Sequence, residues 1–145
     1  MKVICIFLWV LFYSASSWAN TAESCPSVES VTLRAGIYTA PAAKAGSEWI
    51  AVSGAQSASR LESFEAGVFY PESNQQGSVG KIGYCEYKAQ DRSRVNLHYR
   101  QSRAEEHSMR LLNVGNWTFM ESGLGLKLYE CTVSDPGACA FSILE

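Results

Sequence analysis

The chain has 145 residues, a formal net charge of −2 and 47% apolar residues. That length fits one domain with a usable core. The mild charge argues against nucleic acid, anionic lipid or a polyanion as its main partner. The one long apolar run, residues 3–13, is shorter than the roughly 20 residues a spanning helix needs, so no stable membrane insertion is expected.

The N-terminus reads as a secretory signal peptide. Lys2 supplies the positive start, residues 3–13 the apolar stretch, and Ser17-Trp18-Ala19 a small-residue cleavage site. Cleavage is expected after Ala19, which leaves residues 20–145 as a single domain in the periplasm or the medium. Lipid attachment at Cys25 is disfavoured, because Ala22-Glu23-Ser24 places a charge just ahead of it. Cys5 departs with the leader. Cys25, Cys85, Cys131 and Cys139 remain, an even set that in an exported chain reads as two disulfides. Three pairings are open to them. The turn at Asp135-Pro136-Gly137 favours Cys131–Cys139, which leaves Cys25–Cys85. No Cys-x-x-Cys spacing occurs, and His98 and His107 lie far along the chain from any cysteine. Neither a metal nor a cofactor is expected.

Strand signals dominate the rest of the chain, with Gly, Pro, Ser or Asn every eight to twelve residues. Residues 28–33 and 37–39 read as the first strands, separated by Ala35-Gly36. Glu48–Val52 is the next. Residues 61–70 alternate, with Phe64, Ala66, Val68 and Tyr70 on one side and Glu65 and Phe69 on the other. Residues 79–88 place Ile82 and Tyr84 opposite Cys85 and Tyr87. A turn at residues 89–93 leads into Arg94–Arg100, which has the clearest period of two: Val95, Leu97 and Tyr99 inward, Arg94, Asn96, His98 and Arg100 outward.

Residues 102–113 give one weakly amphipathic helix, with Ser102 and Glu105 as a capping box; a strand there is the competing reading. Residues 116–119 and 124–133 complete the set, and an apolar phase slip in the latter predicts a bulge. The fold expected is a single antiparallel β-sandwich or barrel-like domain with at most one short helix and two disulfides.

The sharpest surface feature is the exposed side of Arg94–Arg100. Arg94, Asn96, His98 and Arg100 would share one face there, suited to gripping a carboxylate or phosphate through guanidinium forks. A plain solvated strand face is the competing account. Glu105, Glu106 and His107 bring carboxylates beside an imidazole, but neighbouring residues on a helix diverge, so a surface charge cluster is expected. Ser122-Gly-Leu-Gly125 lacks the nucleophile-elbow pattern and sits between strands. Trp49 and Trp117 read as core. Phe69 and Tyr87, off the main apolar face of their strands, are the aromatic candidates for an exposed patch.

Cys25-Pro26, Gly36-Ile-Tyr-Thr39, Glu48-Trp49, Gly83-Tyr-Cys85-Glu-Tyr87, Trp117 and the ending from Tyr129-Glu-Cys131 through Cys139-Ala-Phe141 together resemble a family of small exported proteobacterial proteins of unknown function. The resemblance spans nearly all of residues 20–145. It implies a periplasmic or secreted domain and assigns no catalytic residue. With no catalytic constellation in view, the expected function is binding, to a protein partner or a glycan. The alternatives are a small envelope hydrolase acting on glycan or peptide through His98 or His107, and a lectin-like domain using an aromatic platform.

Overall fold

A computed structural model describes residues 20–54, 58–102 and 106–145; the expected signal peptide lies outside these residues. Among the described residues eleven strands form: β1 (Thr21–Ser24), β2 (Thr32–Arg34), β3 (Ile37–Pro41), β4 (Glu48–Val52), β5 (Leu61–Pro71), β6 (Val79–Ala89), β7 (Arg94–Arg100), β8 (Met109–Leu111), β9 (Thr118–Glu121), β10 (Lys127–Cys131) and β11 (Ala140–Ile143). The pairings between them are antiparallel.

The sheet forks at β6. One edge of β6 holds β5, which continues through β10 to β9. The other edge is shared: Cys85 to Lys88 pair with β7, and Val79 and Gly80 pair with β8. From β7 the sheet runs through β4 and β3 to β2; from β8 it runs through β11 to β1. A twisted sheet with two branches on one strand curls, and its inner face becomes the core.

Three interruptions in the β5–β6 register drive that curl. Glu62 and Glu65 on β5, and Gly83 on β6, each stand as an extra residue against the partner strand. A bulge bends the strand and moves the following side chains to the other face. Ile82 and Cys85 thus both reach the core although three positions apart, with Tyr84 between them on the outside. The bulge expected within residues 124–133 is absent: β9 and β10 pair in unbroken register, and Leu124 and Leu126 belong to the hairpin turn.

Gly67 marks the centre of the core. It is in register with Cys131 on β10 and Cys85 on β6. Both expected disulfides form, Cys25–Cys85 and Cys131–Cys139, with Cα separations of 5.8 and 5.7 Å, ordinary values for the bond. Trp49 and Trp117 are core residues, the latter donating its indole N–H to Leu112 O. Tyr99 lies between Trp49 and Phe141 in edge-to-face contacts.

Three further expectations are corrected. Within residues 102–113 no α-helix forms among the described positions: Met109 and Leu111 are buried on either side of exposed Arg110, and β8 joins β11 and β6. Glu105 lies outside the described residues. Residues 28–30 make a 3-10 turn, so the first expected strand shrinks to β2. Phe69 and Tyr87 are fully buried rather than exposed. Phe69 packs edge-on against Trp117, and Tyr87 against Phe64 while donating its hydroxyl to Pro26 O at 2.5 Å. The bulges are the reason, since the less apolar side of β5 by simple alternation is the side that meets the core.

Candidate functional site

Strand β7 alternates as its sequence demands. Val95 and Leu97 are buried, whereas Arg94, His98 and Arg100 are exposed and Asn96 is half-buried. Cross-strand partners share a face, so the register extends this side outward in rows. Asn96 lies opposite Glu86. His98 lies opposite Ile50, which is opposite Thr39 on β3 and through it Thr32 on β2. On its other side His98 meets the Tyr84 ring edge-on at 6.0 Å. Tyr84 is opposite Val68, and Val68 is opposite Glu130 on β10. One outer face therefore carries Glu130, Val68, Tyr84, His98 and Ile50 across five strands.

Both arginines on this face already hold a carboxylate. Arg94 reaches Glu86 at 3.2 Å, and Arg100 bonds Glu48, its register partner on β4. A ligand anion would have to displace these internal partners. His98 Nδ1 lies 3.0 Å from Gly83 O. A carbonyl only accepts, so Nδ1 carries the hydrogen of this bond. Asn96 Oδ1 is enclosed and has no hydrogen-bond partner among the described residues, a costly arrangement unless a donor completes it.

Arg94, Asn96 and His98 come together on the wall of a cavity of about 540 Å³, whose rim includes Asp91, Ser93 and Val52. The Ser93 hydroxyl and backbone N–H both donate to Asp91 Oδ1, at 2.6 and 2.9 Å, and hold its carboxyl below the usual range. Arg100 stands outside this cavity. A second cavity, about 580 Å³, lies between Val28, Leu33, Tyr38 and Gln90 and gathers none of the residues singled out from sequence.

Tyr84 is the residue that sequence reasoning passed over. Burial pushes its phenol pKa up; Tyr70, Glu86 and Glu130 push the same way, and Arg94 opposes them. Tyr70 lies directly against Gly83, where a Cβ would stand 2.4 Å from its ring. Tyr84 and Glu130 share a face only through the register of three strands, which no local pattern reveals.

The remaining candidates do not join this site. Glu106 pairs with Lys81, and that hydrogen bond holds its carboxyl below the usual range. The backbone of His107 is bonded to the Gln101 side chain at both its N–H and its carbonyl. Ser122 braces the β9–β10 turn by accepting from Leu126 N at 3.0 Å. Among the described residues no three or more His, Cys, Asp or Glu side chains gather as a metal site, and no helix is long and apolar enough to cross a membrane.

Fold and site together define a disulfide-stapled, curled antiparallel β domain with an open, mixed polar and aromatic sheet face. The chain belongs to the family DUF3757, protein of unknown function, whose family model matches residues 20–142. No curated protein and no solved structure matches it.

Proposed function

We propose that this protein is an exported binding module, not an enzyme, and that it meets its partner through the β7 face and the adjoining cavity. One observation carries the reading: Arg94, Asn96 and His98 converge on the wall of one cavity, with His98 exposed beside it. A cavity lined by a few convergent polar side chains is the usual form of a binding site. The hydrolase reading has less support. Asp91 spends its hydrogen bonds on Ser93 within one turn, and His98 spends Nδ1 on Gly83, with no bond between the two pairs. A general base must reach the proton it removes. The lectin-like reading loses its indole platforms, since Trp49 and Trp117 are buried.

Export is supported by the two disulfides and by the family match beginning at Asn20, the residue after the expected cleavage site. Periplasm and medium both suit it.

The test is capture from envelope and medium fractions on the immobilised, oxidised protein. An Asn96→Ala/His98→Ala variant is run beside it, with Leu124→Ser, on the fully exposed β9–β10 turn, as the control. A protein held by the native form and by Leu124→Ser but lost from the double variant supports the reading. Equal retention on all three, or no retention on the native form, overturns it.

A further inference from the structure

Along the row that crosses the sheet, negative charge is left unanswered. Glu86 is ion-paired with Arg94, but among the described residues no ion pair or side-chain hydrogen bond reaches the carboxylate of Glu130, a half-buried residue. Val68, 4% exposed, forms the floor between Glu130 and Tyr84. The half-buried Tyr84 ring is set edge-on to His98, and Tyr70 is seated over Gly83 nearby. Aromatic rings attract cations over their faces, and a carboxylate at the rim adds a direct charge. The two arginines of this face are engaged with Glu86 and Glu48, which leaves neither open to an anion.

Resting on the binding-module reading above, we infer that the partner supplies a basic side chain, an arginine or a lysine, that seats over Tyr84 and Tyr70 against Glu130. The occupant is a protein segment carrying an exposed cation, and charge complementarity selects it. Arg94 is then an internal competitor. It lies close enough to Tyr84 to offset part of the carboxylates' effect on the phenol, and it occupies Glu86. Guanidinium is favoured over ammonium because it stacks on a ring and still donates in its own plane.

The probe is an acetylated, amidated Arg-Gly-Arg-Gly-Arg peptide, with a second peptide in which each arginine is replaced by citrulline, a neutral isostere. Each is titrated into the oxidised protein at low salt, and binding is followed through the backbone amide shifts of Gly83, Tyr84 and Glu130. The arginine peptide is expected to bind at least about fivefold more tightly than its counterpart. Glu130→Gln should remove that preference, and Arg94→Ala should increase it by freeing Glu86. Equal binding of the two peptides, no binding of either, or an unchanged preference in Glu130→Gln overturns the inference. Its failure is separable from that of the module: a captured partner lost from Asn96→Ala/His98→Ala but indifferent to Glu130→Gln leaves the module standing and rejects the cation site.

Discussion

Cys85 and Cys131 stand in register on either side of Gly67, so both disulfides rest on one glycine at the middle of β5. A Cβ on Gly67 would lie 3.2 Å from Cys25 Sγ, 3.3 Å from the Trp117 ring and 3.4 Å from Cys139 Cβ. All three neighbours are buried, so none yields freely. Gly67→Ala is therefore expected to cost about 1–3 kcal/mol by overpacking. Urea unfolding of the oxidised protein checks it: the midpoint should fall while the slope stays that of the native chain.

The two crosslinks close loops of very different length, with sequence separations of 60 and 8. Constraint of the unfolded chain makes the longer one worth about 4 kcal/mol and the shorter about 2–3 kcal/mol. Replacing Cys25 and Cys85 by serine should thus destabilise more than replacing Cys131 and Cys139. Denaturation of the two double variants gives the order directly. All four cysteines are wholly buried, so a reversed order would mean that the local packing lost at Cys131 and Cys139 exceeds that at Cys25 and Cys85 by more than the difference in loop closure.

A strand that obeys a strict period of two could be read from the chain: β7 falls where alternation placed it, and β4 on the expected residues 48–52. The cysteine pairing was legible too, because a Pro-Gly turn brings Cys131 and Cys139 together locally and leaves the other two. β1 was hidden because Thr21-Ala-Glu-Ser24 has no apolar rhythm and joins the sheet through its pairing with β11. Phe69 and Tyr87 were misplaced because counting by twos fails across the extra residues Glu62, Glu65 and Gly83. Of the outer face, Arg94, Asn96, His98 and Arg100 were visible as one strand's alternation. Tyr84 and Glu130, 46 positions apart in number, come to one face only through the register of β6, β5 and β10.

Glu23 should make stability depend on pH in the direction opposite to most carboxylates. Burial raises its pKa above the ordinary value of 4.5, and hydrogen bonds from Ala43 N and Ser24 N, at 2.6 and 3.1 Å, only partly offset this. The Trp49 indole N–H lies near enough to favour the carboxylate but makes no hydrogen bond of good geometry. A carboxyl with a raised folded pKa binds more protons folded than unfolded, so its contribution weakens as pH rises from 4.5 through the folded value. Glu23→Gln is expected to flatten the stability profile across that window. Native and variant stabilities, measured at several pH values and subtracted, isolate the group; a difference that does not change with pH would reject this account.

The β2–β3 turn offers a stabilising change. Ala35 and Gly36, the two residues between the strands, have φ of 50° and 75°. Two successive left-handed residues in a two-residue hairpin loop favour Asn-Gly, because asparagine tolerates that conformation and alanine resists it. Ala35 is exposed, so its side chain gives up no packing. Ala35→Asn is expected to stabilise the fold by about 0.5–1 kcal/mol, whereas Ala35→Val should destabilise it, since β-branching worsens a positive φ. Thermal unfolding of the pair settles the matter by sign alone: asparagine above the native chain and valine below it confirms that the turn carries this strain, and any other order shows that β2 relaxes it.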